Sequence, residues 1–162
     1  MSLIMRVLIV DDHEVVRRGI RSLLQTQPSC EICGEAVDGL DAVEKARQSV
    51  PDVIIMDISM PNLNGLEATR QIRGIVPEAE IVILSQHESV EMARQAFKAG
   101  ARGYVVKASV SKNLLKALET ANSHKSYFDP SIPGLGEQST GVDVQGAAAG
   151  KPEVSLDPSG QS

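Results

Sequence analysis

Val7-Leu8-Ile9-Val10-Asp11-Asp12 and Val53-Ile54-Ile55-Met56-Asp57 are two unbroken apolar runs, and each ends on acid. A strand with one wet face alternates apolar and polar residues, whereas an unbroken run suits a parallel strand covered on both faces. Working outward, the strand candidates are Arg6–Val10, Cys30–Ala36, Val53–Met56, Glu80–Leu84 and Arg102–Val106. The first, third and fourth are the unbroken ones. Helical spacing lies between and after them: Val16, Ile20, Leu23 and Leu24 fall on one face, as do Ala68, Ile72, Ile75 and Val76. Val90, Ala93, Ala96 and Phe97 make another such face, and Leu114, Ala117, Leu118 and Ala121 the last. Asp38 reads as an N-cap for the helix after the second strand. Gly100 reads as the residue just past the end of the fourth helix. Five strand–helix units in a row predict an α/β fold, a doubly wound five-stranded parallel sheet with helices on both faces.

The chain has 162 residues, 42% of them apolar, which is enough for one self-sufficient core. No apolar run approaches the ~18 residues that a membrane span needs, and the N-terminus lacks the pattern of a secretory signal. A net charge of −5, no Trp, and only two Tyr and two Phe argue against a nucleic-acid-binding surface. Cys30 and Cys33 have C-x-x-C spacing, but no second pair completes a zinc site. Three residues apart in a strand, they would point to opposite faces, as two small apolar residues. A reducing, cytoplasmic setting is expected.

Composition shifts near Asp129. Residues 130–162 number 33, of which 15 are Gly, Pro or Ser, and carry one Lys against two Glu and two Asp. Such a segment buries too little surface to offset chain entropy. The expected organisation is one domain over residues 5–125, followed by a linker or disordered tail over 126–162.

In open α/β sheets, ligands bind beyond the carboxyl ends of the strands. Asp11 and Asp12 follow the first strand, Asp57 the third, Ser85 the fourth and Lys107 the fifth. The second strand ends on Ala36-Val37-Asp38, as suits an outer strand away from the site. Three carboxylates converging there would raise one another's pKa unless a cation neutralised them. Mg²⁺, with few carboxylates and several waters, fits this set. A lysine adds a point charge for a phosphoryl oxygen, and a serine hydroxyl adds a donor. Together they fit phosphoryl transfer, with one carboxylate as nucleophile. Any one of these alone would be an ordinary polar loop residue. Five at four strand ends are not.

Val7-Leu8-Ile9-Val10-Asp11-Asp12-His13, Asp57-Ile58-Ser59-Met60-Pro61-Asn62-Leu63-Asn64-Gly65, Ser85 and Gly103-Tyr104-Val105-Val106-Lys107 occur in that order. Over about residues 5–125 the chain resembles the receiver domain of bacterial response regulators. Asp11–Arg17, Ser85-Gln86-His87 and Ala99–Tyr104 resemble the NarL/FixJ-type branch. The resemblance implies a flavodoxin-like strand order 2-1-3-4-5. It implies that Asp57 accepts a phosphoryl group from a sensor histidine kinase, and that Asp11, Asp12, Asp57 and the backbone carbonyl of Ser59 hold Mg²⁺. It implies that Lys107 binds a phosphoryl oxygen, and that Ser85 turns to the new phosphate while Tyr104 rotates inward as the switch. The surface that changes would be the fourth helix, fifth strand and fifth helix. Ser59 and His87 would tune the phosphate's lifetime. His13 would be a helix-start residue outside the coordination shell. Lys107-Ala108 departs from the Lys-Pro of many receivers, which leaves that loop's geometry open.

The branch usually joins its receiver to a DNA-binding helix-turn-helix, and residues 126–132 resemble the segment leaving the last receiver helix. No helix-turn-helix pattern follows, so this chain is not expected to bind DNA itself. A parent chain cut before its output domain, a chain that lost it, and a stand-alone receiver all stand at this point. A second copy of the chain is a further expected partner, and a phosphate-independent dimerisation module is the alternative function. The leading expectation is a signalling switch, not an enzyme, whose chemistry is confined to gaining and losing its own phosphate. Control of transcription would belong to the parent protein. A haloacid-dehalogenase-type phosphatase would need D-x-D where Asp11-Asp12 are adjacent. A flavodoxin-like flavin carrier would need a Ser/Thr/Gly-rich phosphate loop that is missing. Arg17, Arg18 and Arg21 read as a solvated helix face or docking edge, His87 as a solvated loop residue, and His124 has no visible partner.

Overall fold

The computed structural model describes residues 4–132. Strands β1 (Met5–Val10), β2 (Cys30–Ala36), β3 (Val53–Asp57), β4 (Glu80–Ser85), β5 (Gly103–Val106) and β6 (Tyr127–Phe128) form one parallel sheet. Helices α1 (Glu14–Gln25), α2 (Gly39–Ser49), α3 (Gly65–Ile75), α4 (Val90–Ala99) and α5 (Val110–Asn122) cover it. The order is β2-β1-β3-β4-β5-β6. The doubly wound parallel fold and the order of its first five strands are as the sequence predicts. The count is corrected from five strands to six.

The sixth strand lies where the tail was expected to begin. Tyr127 pairs with Gly103 and Phe128 with Tyr104. Phe128 packs on Phe97 with ring centroids 4.8 Å apart, and Ile132 is 2% exposed. Packing therefore continues past residue 125 to residue 132, because these side chains cover the open edge of β5. The rest of the tail expected over 126–162, from residue 133 on, lies outside the described residues.

Alternation along the buried strands sorts the core into two layers. Val7, Ile9, Val53, Ile55, Val82, Leu84 and Val105 face Ile20 and Leu24 of α1 and Leu114 and Leu118 of α5. Leu8, Val10, Ile54, Met56, Ile81, Ile83 and Tyr104 face the alanine-rich sides of α2, α3 and α4, with Ile72 among them. Helices α2, α3 and α4 begin on side-chain caps. Asp38 accepts the Asp41 N–H at 2.8 Å, Asn64 the Glu67 N–H at 2.9 Å and Ser89 the Met92 N–H at 3.1 Å. Helix α4 ends on Gly100 at φ 113°. Two details depart from the simple patterns. Ile75, placed on the inner face of the third helix, is 45% exposed at that helix's last turn. The β1–β2 register shifts between Val7 and Leu8, so that Cys33 is an extra residue opposite Leu8. The two cysteines still face opposite layers, and both thiols are free. Burial raises the pKa of the Cys30 thiol.

The chain leaves β1 in one direction and β3 in the other, so the sheet reverses its winding between them. That is the crevice where open α/β sheets bind ligands, and it holds Asp11 and Asp57.

Candidate functional site

Asp57 ends β3 and Asp11 directly follows β1, so neighbouring strands deliver both carboxylates to one edge, and both are buried. Asp12 follows and is exposed. Lys107 enters from the other side on the turn after β5. Its ammonium stands 3.0 Å from Asp11 Oδ2 and 3.1 Å from Asp57 Oδ1. Beside these ion pairs, Asp11 Oδ2 and Asp57 Oδ2 are buried without hydrogen-bond partners. Buried polar atoms are rarely left so. Ligand atoms of Asp11, Asp12, His13 and Asp57 all lie within 4.8 Å of one another. Orphaned carboxylate oxygens gathered at one edge fit a hard divalent cation.

The electrostatics agree. Burial, then the charge of Asp11, pushes the Asp57 carboxyl above the usual aspartate range, against the opposing pull of Lys107. Burial works against the charge on Lys107, but Asp11 and Asp57 outweigh it and hold the ammonium above its ordinary pKa.

Ser85 ends β4 in register with Val106, the residue before Lys107. Its hydroxyl accepts the His87 N–H at 3.0 Å. Tyr104 is fully buried and donates its hydroxyl to the His87 carbonyl at 3.0 Å. The backbone of His87 thus joins Ser85 to Tyr104, and the ring of Tyr104 already stands inward. Burial raises the pKa of the Tyr104 hydroxyl, with the Ser85 side chain acting in the opposite sense. Ser59 lies exposed on the loop after β3, and the His87 side chain is exposed as expected.

A sequence model of the response regulator receiver domain matches residues 7–119. The chain belongs to the response regulator receiver family. The response regulator protein VraR of Staphylococcus aureus is 36% identical over 127 residues, 78% of this chain and 61% of VraR. The chain therefore spans about three-fifths of the length of the curated relatives it matches. A two-component response regulator of the LuxR family from Aurantimonas sp. SI85-9A1 superposes with a TM-score of 0.79 at 36% identity, covering 85% of this chain and 99% of that one. The signal receiver domain of NarL from Mycobacterium tuberculosis superposes with a TM-score of 0.72 at 28% identity, covering 76% and 99%. These likenesses place the receiver in the NarL/FixJ-type branch of two-component signalling.

Several residues sit differently from their sequence reading. His13 does start α1, but its Nδ1 lies 3.2 Å from Asp11 and 3.1 Å from Asp12, against the acidic edge. Arg17 is no solvated residue. It donates to the Asp11 carbonyl at 2.7 Å and to Glu35 at 3.0 Å, and Arg21 also pairs with Glu35. Arg18 does face solvent. His124 meets the buried Glu80. Asp129, read as linker, is a buried carboxylate beside the end of β5.

Gly65 of the receiver also has a definite duty. A Cβ there would lie 2.1 Å from the Asp57 carbonyl oxygen, and the Gly65 N–H donates to the Ile58 carbonyl at 2.9 Å. Gly65→Ala is expected to cost about 1–3 kcal/mol, as overpacking does. It would also displace Asp57. Urea unfolding checks the first effect, and phosphoryl uptake at Asp57 the second.

Proposed function

We propose that this receiver, working in the cytoplasm, accepts a phosphoryl group on Asp57 from the phosphohistidine of a sensor kinase, and that the change at Asp57 switches its α4–β5–α5 surface to control an output domain or partner. The observation that carries this reading is the buried Asp57 carboxylate, with one oxygen on Lys107 and the other without a hydrogen-bond partner. A carboxylate oxygen of Asp57 attacks phosphorus, the O–P bond forms, the histidine N–P bond breaks, and the departing imidazole takes a proton. Lys107 meets charge that builds on the phosphoryl oxygens. Asp11, Asp12, Asp57 and the Ser59 carbonyl would hold Mg²⁺, which supplies charge neutralisation for the transferring group. Ser85 offers a hydroxyl to the new phosphate. Tyr104 and the His87 backbone carry that event toward α4, whose first residues follow His87 closely.

The reading names two partners, the kinase and, for the switched surface, a second copy of the chain. It assigns no DNA contact to this chain and places control of transcription with the output domain or partner on which the switched surface acts. Transfer from a ³²P-labelled kinase domain tests it. Label should pass to the receiver in Mg²⁺, stop passing in EDTA, and be released by hydroxylamine, as an acyl phosphate is. Label that survives hydroxylamine, or passes equally to Asp57→Asn, would contradict the assignment.

A further inference from the structure

Asp129 is fully buried, lies outside the acidic site, and has no part in the chemistry above. A buried carboxylate is costly unless its oxygens find donors, and this one has four. Oδ2 accepts the Val106 N–H at 2.8 Å. Oδ1 accepts the Ser131 N–H at 2.9 Å, the Ser131 hydroxyl at 2.8 Å and the Asn113 amide at 3.3 Å. The Asp129 N–H itself donates to the Tyr104 carbonyl at 3.1 Å. Strand β6 ends at Phe128, and Asp129 extends its pairing one step further with a side chain in place of a backbone carbonyl. The group it holds belongs to the last residue of β5, and Lys107 comes next. Across the planar peptide, only ψ of Val106 and φ of Lys107 are soft between the Val106 nitrogen and the start of the Lys107 side chain.

We propose that Asp129 is a positioning residue for Lys107. By holding the Val106 N–H it sets the end of β5 from which the Lys107 ammonium reaches Asp11 and Asp57, and it ties that site to the docking of residues 127–132. The proposal rests on the reading of Asp57 as phosphoryl acceptor. The segment has other anchors, since Phe128 packs on Phe97 and Ile132 is buried. Loss of the Asp129 carboxylate therefore acts on the end of β5 without releasing the whole segment.

The test uses the full chain with Asp129→Ala, Asp129→Asn and Ser131→Ala, each checked for folding by circular dichroism. One readout needs no phosphate: acylation of Lys107 by an amine-reactive ester, read by peptide mass spectrometry against the exposed Lys125 of the same molecule. The other is the rate of phosphoryl uptake from acetyl phosphate in Mg²⁺. Asp129→Ala should raise Lys107 acylation severalfold and slow uptake by roughly tenfold, as small misplacements of a charge-stabilising group do. Ser131→Ala, which leaves the Val106 contact in place, should match the wild type in both. Asp129→Asn, with one oxygen to share between Val106 and Ser131, should fall between.

Wild-type acylation of Lys107 in folded Asp129→Ala would overturn the proposal and make Asp129 a tether only. If that variant does not fold, Asp129→Asn decides: labelling above wild type supports the proposal, and labelling at wild type overturns it. Failure of the wild-type chain to take up phosphate would count against the reading of Asp57, while the acylation ratio would still decide the role of Asp129.

Discussion

Lys107→Ala is expected to slow phosphoryl uptake at Asp57 by about a hundredfold, the usual order for removing one preorganised charge from a buried reacting centre. The ammonium touches both buried carboxylates, at 3.0 Å and 3.1 Å, so its loss leaves Asp11 and Asp57 facing each other with no protein cation between them. A pH effect follows with a definite sign. The attacking Asp57 must be ionised. Burial and then Asp11 already raise its pKa, and Lys107 is the group pulling it down. Without Mg²⁺, Asp57 should therefore titrate above the ~3.9 of an ordinary aspartate. In Lys107→Ala that titration should move higher still. Carboxyl NMR titration of the metal-free protein checks this effect, and the rate of uptake from acetyl phosphate in Mg²⁺ at neutral pH checks the first. An unchanged rate and titration would mean that Lys107 is a packing residue.

Glu80→Ala should have the largest effect on stability, a loss of about 3–5 kcal/mol, the range for breaking one side of a buried ion pair. Glu80 is 3% exposed at the start of β4, held by Arg73, by Arg102 at 3.1 Å and by His124. Arg73 also donates to the carbonyls of Pro77, Ala79 and Gly100, so removing Glu80 strands a guanidinium that knits α3 to the starts of β4 and β5. Burial alone would raise the Glu80 pKa, but His124, Arg102 and Arg73 together bring it below the ordinary value. An acid with a lowered folded pKa stabilises the fold above its unfolded value of about 4.3, and that contribution fades as pH falls through the folded value. Urea unfolding should thus show a large gap between wild type and Glu80→Ala at neutral pH, closing in acid. A gap below 1 kcal/mol at neutral pH would contradict this role.

Much of this was legible because strong patterns carry it. Unbroken apolar runs marked the inner strands, and each ended on the residue that the structure places at the candidate site. Asp11, Asp57 and Lys107 were readable because strand ends in a parallel sheet share one edge. Asp38 and Gly100 were readable because caps have local chemistry. What escaped depends on tertiary partners. Tyr127–Phe128 is too short to show a period, and its pairing with β5 is created by Phe97 and Ile132. Asp129 follows it and reads as linker, since nothing local says that its carboxylate meets the Val106 N–H. Arg17 looks like any charged residue of an amphipathic helix, because its partners, Glu35 and the Asp11 carbonyl, come from two neighbouring strands. The extra residue at Cys33 had one cue, Gly34 beside it, since a lone glycine within a strand suits a bulge.

The central claim is that Asp57 is the phosphoryl acceptor of a working receiver. Intact mass after incubation with acetyl phosphate and Mg²⁺, with Asp57→Asn alongside, tests it most directly. The wild type should gain one phosphoryl group, with no gain in EDTA and none by Asp57→Asn. Equal gain by Asp57→Asn, or no gain by correctly folded wild type with Mg²⁺ present, would contradict it.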